Sequence, residues 1–266
     1  MKYYKISDEF AALNEFIVNL PVAFDHLGLV IKDNRNVIRK VDTAQNTLVI
    51  KSFKGMYFFN RVAYSFFRKS KAERSYLNSA TLNKKGIATP PNVGWLDTYK
   101  WKLLEKSYYI CLYSPHQTFE KHLVDHASDE NYKKTLYNHL LTFVMKLHRA
   151  DVNQMDLSLG NILVIPTADG YEFSMVDLNR VRFHKMSFRQ GLNNLRKIEI
   201  PLDDLNDLIR EYAVLNGQSP EAAVAMYWAD TRRFIFLRSL RKKLRKYTLT
   251  PVEKLVKRIF SGSKQH

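Results

Sequence analysis

Residues 154–177 read QMDLSLGNILVIPTADGYEFSMVD, a sequence typical of a β-hairpin. Two apolar runs, ILVIP and YEFSMV, flank the polar turn TADG. A turn centred near Asp169 places Asn161 opposite Asp177, because both positions are equally far from the centre, and neighbouring strands lie about 5 Å apart. Asp156 precedes the first strand in a loop. We therefore expect Asp156, Asn161 and Asp177 to meet at one end of the hairpin.

These three side chains suggest a chemistry. Carboxylate and amide oxygens are hard ligands that suit Mg²⁺, which usually completes its shell with waters and substrate phosphates. An Asp-x-x-x-x-Asn loop, a strand, a turn and a second strand ending in Asp form the arrangement of phosphoryl-transfer enzymes. The pattern predicts Asp156 as the catalytic base that accepts the proton of an attacking hydroxyl. It predicts Asn161 and Asp177 as metal ligands, with ATP and Mg²⁺ as cofactors.

Such a site also needs a cation from elsewhere in the chain. In the run LVIKSF, Lys51 shares a strand face with Val49 and Phe53, so its ammonium group can emerge beside an apolar nucleotide-binding surface. Glu73, on a helix predicted to follow, is a suitable anionic partner for Lys51. A solvated helix face beside Lys71 and Arg74 is the alternative for Glu73.

The remaining pattern predicts an α+β fold with two lobes. Residues 28–53 contain three short β-type runs, residues 69–85 a helix ending at Gly86, and the runs WKLLEK and SYYICLY two further strands. After Pro115 the pattern becomes helical, most clearly over residues 131–150. We expect an N-terminal nucleotide-binding lobe, residues 1–113, built on an antiparallel sheet. A mainly helical catalytic lobe, residues 114–266, should follow.

Several phrases together carry a family resemblance: VIKSF with Lys51, KAERSYL with Glu73, KKGIATPPNVG, MDLSLGNILV and MVDLNRVRF. They resemble the protein-kinase-like superfamily, and within it the bacterial lipopolysaccharide core kinases that act on Kdo or heptose. The similarity extends from about Val30 to Leu195. It implies a two-lobed protein-kinase-like fold and ATP-dependent phosphorylation of a sugar hydroxyl on the lipid A–core acceptor.

The chain departs from the kinase pattern in places. The expected glycine-rich loop is replaced by KDNRN, in which Lys32, Arg35 or Asn36 could contact phosphates. Gln154 stands where related kinases often carry His, and no Ala-Pro-Glu phrase follows Asp177. Recognition of a protein substrate is therefore not expected.

The phrase LHRAD, residues 147–151, is similar to the His-Arg-Asp phrase of protein kinases. Position five after Asp151 is Asp156 rather than Asn, and no strand follows, so Asp151 is not predicted to be the base. We expect His148 and Arg149 to end a helix, where cations suit the helix dipole.

Composition indicates a folded protein in a reducing compartment. Apolar residues make up 45% of the chain, and the single cysteine, Cys111, excludes a disulfide framework. The N-terminal residues lack the apolar core of a secretory signal, and no run approaches the roughly 20 apolar residues of a membrane span. We expect a cytoplasmic protein that associates peripherally with the inner membrane.

The net charge is +16, and much of it lies near the C-terminus. From residue 231 onward there are twelve Lys or Arg residues against one acid, Glu253. Phe234, Leu237, Leu240 and Leu244 recur at intervals of three and four among the basic residues. This pattern predicts a basic amphipathic tail, residues 231–266, on an anionic membrane surface. A final helix with its charged side in water is the equal alternative.

Two other functions remain open at this stage. One is a kinase for a soluble small molecule or a protein, although such an acceptor leaves the basic tail unexplained. The other is a non-catalytic kinase-like module that binds anionic lipid or RNA. The predicted partners are a lipid-linked sugar acceptor of the lipopolysaccharide core and a membrane surface, with nucleic acid disfavoured.

Overall fold

The computed structural model describes residues 1–53 and 68–261, with side chains as far as Leu244. The chain forms two compact units, residues 1–186 with 197–199, and residues 187–196 with 200–266. The lobe boundary expected between residues 113 and 114 lies inside the first unit, and it stays a prediction. The part of the predicted tail after residue 244 has a described backbone to residue 261 only.

The first unit contains a six-stranded antiparallel sheet with the order β1-β5-β6-β4-β3-β2. The three strands expected within residues 28–53 are confirmed. The strands are β1 (Lys2–Ile6), β2 (Leu29–Asp33), β3 (Val37–Asp42), β4 (Thr47–Ser52), β5 (Asn92–Lys100) and β6 (Leu103–Leu112).

The strands expected at WKLLEK and SYYICLY need correction. Residues 103–106 of the first run and 107–112 of the second form the single strand β6, and its partner β5 lies upstream. Trp101 and Lys102 form the turn between the two strands, with φ angles of 54° and 59°. Trp and Lys rarely adopt a left-handed backbone. The sequence therefore does not indicate a turn at these two residues.

Alternation along β4 divides its side chains between two faces of the sheet. Leu48 and Ile50 are fully buried on one face, with Ile17 and Leu20 of helix α1 (Asn14–Ala23). The other face carries Val49, Lys51 and then Phe53, which belongs to a second cluster with Ala72, Tyr76, Tyr109 and Cys111. Lys51 therefore points away from the larger apolar core.

Helix α2 (Lys71–Lys84) covers this second face and has clear end signals. Ser70 caps its start, with Oγ accepting a hydrogen bond from the Glu73 amide at 3.0 Å. Gly86 follows its end with φ of 72°, which a glycine adopts without strain. Two residues later, the Ala88 carbonyl accepts from the Met175 amide at 2.9 Å. The GIATP phrase thus ends the helix and ties it to the predicted hairpin.

The rest of the first unit contains α3 (Phe119–Asp125), α4 (Glu130–Arg149), β7 (Val152–Gln154), β8 (Ile162–Thr167), β9 (Gly170–Met175) and β10 (Val181–Phe183). The long helix predicted over residues 131–150 is confirmed as α4. His148 and Arg149 lie in its last turn, as expected. Asp151 follows with a left-handed φ of 59°.

The β8–β9 hairpin is confirmed, but its register differs by one residue from the expectation. Ile162 pairs with Met175 and Thr167 with Gly170, so the turn consists of residues 168 and 169 alone. A two-residue turn is centred between its residues rather than on Asp169. The partner of Asn161 is accordingly Val176, whose amide donates to the Asn161 carbonyl at 2.9 Å.

The second unit contains α5 (Phe188–Asn194), α6 (Leu202–Leu215) and α7 (Pro220–Ser261). Arg189 of α5 donates from Nε to Asp230 Oδ2 of α7 at 2.7 Å, and this hydrogen bond holds the pKa of Asp230 well below its usual value. Helix α7 has 42 residues. At 1.5 Å per residue it is roughly 60 Å long. Among the helices that the structure describes, none is both long and apolar enough to cross a membrane.

Candidate active site

An ion pair joins β4 to the end of the hairpin. Lys51 Nζ lies 2.6 Å from Asp177 Oδ1, and only 11% of the lysine side chain is exposed. A close pair with little solvent around it is much less screened than a surface pair. Two residues predicted from separate parts of the sequence are thus brought together at a defined geometry.

Asp177 occupies an unusual backbone conformation, with φ of 57° and ψ of 59°. A left-handed residue other than glycine costs about 1 kcal/mol or more and persists where its surroundings hold it. Here the Asn179 side chain donates to Asp177 Oδ1, and Asn78 of α2 donates to the Leu178 carbonyl at 2.7 Å. The 177–180 turn is therefore fixed both by its own side chain and by α2.

The loop that carries Asp156 is organised by hydrogen bonds to its backbone. The Asp156 carbonyl accepts from the Ser158 amide at 2.8 Å and from Asn161 Nδ2 at 3.0 Å. These bonds fix the spacing of five residues between Asp156 and Asn161. The side-chain nitrogen of Asn161, Nδ2, forms a hydrogen bond inside the loop. Its side-chain oxygen, Oδ1, can therefore serve as a metal ligand.

Gln154 links the two carboxylate-bearing segments, a role that the sequence did not indicate. It is 1% exposed. Its Oε1 accepts from the Asp156 amide and its Nε2 donates to the Asp177 carbonyl, both at 3.4 Å. The departure noted at this position is therefore a buried positioning residue between Asp156 and Asp177.

A cavity of about 490 Å³ lies over this cluster. Lys51, Asn161 and Asp177 line it, together with residues of the β2–β3 turn, Lys32, Arg35 and Asn36. The turn predicted to replace a glycine-rich loop thus faces the same cavity as the predicted metal ligands. Asp156 is not among the lining residues, and its backbone carbonyl accepts a hydrogen bond from Asn161, which is.

Glu73 is not brought to Lys51. It lies in the first turn of α2, and its carboxylate pairs with Lys69 Nζ at 3.1 Å. Lys51 pairs with Asp177 instead. The predicted role of Glu73 in orienting Lys51 stays a prediction, and the contact formed in this structure is the surface alternative.

Lys71 approaches Lys51 more closely than the sequence suggested. Its Nζ lies 5.7 Å from the centroid of the Phe53 ring, and Lys51 Nζ lies 5.2 Å from the same centroid. Burial, followed by the charge of Lys51, lowers the pKa of Lys71. Two ammonium groups near one ring and one carboxylate, Asp177, form a locally cationic region. Such a region favours binding of a polyanion.

Cys111 also lines the cavity, and burial raises the pKa of its thiol to about 12. It is therefore a neutral thiol at physiological pH and not a nucleophile.

The predicted ligands fit magnesium in type. Asp177 and Asn161 offer hard oxygens on one cavity wall, the donor set that Mg²⁺ accepts when water and phosphate complete its shell. Within residues 1–53 and 68–261, no group of three or more His, Cys, Asp or Glu side chains could hold a metal ion. A cation here would thus depend on the amide and on a bound nucleotide.

Comparison with known proteins identifies the family of the chain. Residues 37–212, about two thirds of the chain, match the model of the lipopolysaccharide kinase (Kdo/WaaP) family. The chain belongs to this family. Lipopolysaccharide kinases of the Kdo/WaaP family phosphorylate sugar hydroxyls using ATP, so the predicted kinase activity and family resemblance are confirmed.

A solved structure supports the fold of this lipopolysaccharide kinase. The structure described as WaaP in complex with acyl carrier protein is similar, with a TM-score of 0.61 and 15% sequence identity. The similarity covers 87% of this chain and 97% of that chain. It confirms the predicted α+β class, with an antiparallel sheet and a largely helical remainder. No curated protein matches the sequence.

Proposed function

We propose that this lipopolysaccharide kinase transfers the γ-phosphate of ATP to a hydroxyl of Kdo or heptose in the inner core. Family membership supports the reaction class. The Lys51–Asp177 pair, at 2.6 Å, supports the cavity as the site of phosphate transfer. Both residues line the cavity, and so does Asn161. A lysine paired with the acid that ends the hairpin is suited to binding a magnesium nucleotide.

Asp156 acts as the base in this proposal. Its side chain is 29% exposed, so an acceptor hydroxyl can approach it from solvent. The Ser158 amide and the Asn161 side chain donate to the Asp156 carbonyl, and the Asp156 amide donates to Gln154, so the backbone that carries the base is held in place.

Lys51 binds the α- and β-phosphates, and Asn161 and Asp177 provide oxygens for magnesium. The ion, when bound, neutralises charge on the β- and γ-phosphates. Lys51 and Asp177 compensate each other's charge in the structure described here. Nucleotide binding would replace this pair by contacts of Lys51 with phosphate.

Cations around the cavity take over the work of a glycine-rich loop. Lys32, Arg35 and Asn36 line the cavity from the β2–β3 turn, and Lys71 stands above Phe53 beside Lys51. Lys32, Arg35 and Lys71 would provide positive charge, and Asn36 an amide donor, where a glycine-rich loop would provide backbone amides. In this proposal these side chains bind the phosphates in place of the usual glycines.

Helix α7 provides a surface for the membrane that carries the acceptor. Phe234, Ile235, Phe236 and Leu237 are between 38% and 65% exposed, next to Arg232 and Arg233. Apolar side chains with a basic surround are suited to an anionic lipid interface. We therefore place the protein at the cytoplasmic face of the inner membrane. A carrier protein, the partner named for the WaaP structure, is a second candidate for this surface.

The test is transfer of labelled phosphate from ATP to dephosphorylated lipopolysaccharide core with magnesium. We expect Asp156→Asn and Asp177→Asn each to lower transfer by about 10³-fold or more, because they remove the base and a metal ligand. Asp151→Asn is the matched control and should transfer normally. Equal transfer by all four proteins would refute the assignment of the site. Labelling of a soluble sugar or a protein in place of the core would refute the acceptor.

A further inference from the structure

The guanidinium of Arg180 lies near the proposed base, Asp156, and forms no hydrogen bond with it. The guanidinium lies 3.6 Å from Asp156 Oδ2, and 55% of the Arg180 side chain is exposed. This distance is too long for a hydrogen bond, although the charges attract. Among the described residues, the guanidinium makes no hydrogen bond. The five N–H donors of an arginine are thus available at the entrance to the base.

The backbone holds Arg180 at this place. The Arg180 carbonyl accepts from the Met155 amide at 3.4 Å, and the next residue, Val181, pairs with Gln154 in the β7–β10 ladder. These contacts connect the two residues immediately before Asp156 with Arg180 and the residue that follows it. The closeness of the guanidinium to the base therefore follows from strand pairing.

The position separates Arg180 from the nucleotide cations. Lys51 and Arg35 line the cavity, whereas neither Arg180 nor Asp156 does. Arg180 and Asp156 are also more exposed than Lys51. The acceptor hydroxyl has to come within about 3 Å of Asp156, so the acceptor, rather than ATP, is the molecule that meets Arg180.

We propose that Arg180 binds a carboxylate of the acceptor sugar and so presents a hydroxyl of the same sugar to Asp156. A guanidinium matches a carboxylate in a planar, two-bond geometry, and the distance between Arg180 and Asp156 lies within the dimensions of one monosaccharide. Kdo is an acidic sugar with a carboxylate, whereas heptose is neutral. This role rests on the proposed function and selects an acidic sugar as the acceptor.

Steady-state kinetics with two acceptors test the proposal. One acceptor is the dephosphorylated core, and the other is the same core with its carboxylates converted to amides. With the unmodified core, Arg180→Gln should raise the KM for the acceptor roughly 10- to 100-fold, because charge-assisted hydrogen bonds are lost. The KM for ATP should not change. Arg180→Lys should restore part of the affinity, and Arg182→Gln, an exposed arginine two residues away, should behave as the native protein.

The amide-converted core separates a carboxylate contact from a structural role. Native protein and Arg180→Gln should use it equally poorly. A fall in kcat with an unchanged acceptor KM would show that Arg180 only orients Asp156, and a raised KM for ATP would assign it to the nucleotide. Equal use of the two cores by the native protein would overturn the carboxylate contact.

The kinetics also distinguish this proposal from the function on which it rests. Absence of transfer by the native protein to either core overturns both. Transfer by the native protein with an unaltered acceptor KM in Arg180→Gln overturns the role of Arg180 alone. Thermal melting of each variant checks folding. Substitution of an exposed arginine should leave the melting temperature nearly unchanged.

Discussion

The cleft around Asp177 and helix α7 are both rich in cations, but they use charge in different ways. In the cleft, Lys51 is largely buried and lies 2.6 Å from a carboxylate that the hairpin positions. On α7, six Lys or Arg residues occur within residues 231–244, and no acid occurs in that stretch. Paired charge in a sheltered place can act on particular atoms. The positive charge spread along α7 attracts anionic surfaces in general, and it does not act on one particular atom of them.

This difference predicts how substitutions behave in the two regions. A single change in the cavity wall removes a contact made at a particular geometry, as between Lys51 and Asp177. A single change on α7 leaves the other cations in place, so its effects should be small and should add up.

Lys51→Met should lower phosphate transfer by about 10³-fold or more, because the phosphates lose their cation and Asp177 loses its partner. Lys40→Met is the matched control, since Lys40 lies on the adjacent strand β3 and its Nζ is 4.3 Å from the Tyr113 ring centroid. The control should keep nearly full activity in the same assay. Similar losses in both variants would show that the sheet tolerates no lost cation and that Lys51 has no special role.

On α7, replacement of Arg238, Arg241, Lys242 and Lys243 by Ser should weaken binding to phosphatidylglycerol vesicles roughly 100- to 1000-fold, at about 1 kcal/mol per cation. Arg241→Ser alone should cost roughly fivefold. Vesicle flotation measures both. Binding that is indifferent to the four substitutions, or to the charge of the vesicles, would contradict the membrane role.

Asp97 shows what burial does to the stability contributed by a carboxylate, in contrast to Asp177, which is paired with Lys51. It is 1% exposed, and burial raises its pKa to about 6, although the hydroxyls of Ser107 and Ser70 oppose the change. The folded protein therefore retains a proton that the unfolded chain loses near pH 4. Asp97 thus destabilises the fold as the pH rises from about 4 through 6.

Asp97→Asn should consequently raise the free energy of unfolding at pH 8 by on the order of 2 kcal/mol and leave it nearly unchanged at pH 4. Urea denaturation at the two pH values measures this. Asp169→Asn, at the exposed hairpin turn, is the control and should show no such difference between pH values. An equal effect of Asp97→Asn at the two pH values would mean that contacts in the fold offset the cost of burying the ionised carboxylate.

The smallest expected effect is that of Glu73→Gln. Because Glu73 pairs with Lys69, whose side chain is 59% exposed, the substitution should change the rate of transfer by less than about threefold. A loss of 100-fold would show that Glu73 reaches Lys51 during the reaction, as the sequence pattern predicts. Glu130→Gln, in the first turn of α4 and likewise paired with a lysine, Lys133, controls for general effects of removing a helix acid.

Much of the site could be predicted from sequence because it depends on local pattern. The spacing of Asp156 and Asn161 and the hairpin that leads to Asp177 are contained in 22 consecutive residues. The alternation of β4 placed Lys51 on the correct face. The register was wrong by one residue because composition does not reveal whether a turn has two residues or three.

The contributions of Gln154, Arg180 and Lys71 could not be predicted in the same way. The β7–β10 pairing brings Arg180 close to Asp156 and Gln154 close to Asp177, and it joins three-residue strands too short to leave a pattern. Lys71 reaches the Phe53 ring because of the exact start of α2 at the Ser70 cap. A shift of one residue in that start would have changed which side chain faces Lys51.

The most direct test of the account is the magnesium dependence of ATP binding, measured by calorimetry on native protein and on Asp177→Asn. The account predicts that magnesium tightens binding to the native protein by at least about tenfold and has little effect on the variant. If magnesium leaves the native affinity unchanged, or tightens binding equally in Asp177→Asn, then Asp177 is not the metal ligand and the cleft does not work as described.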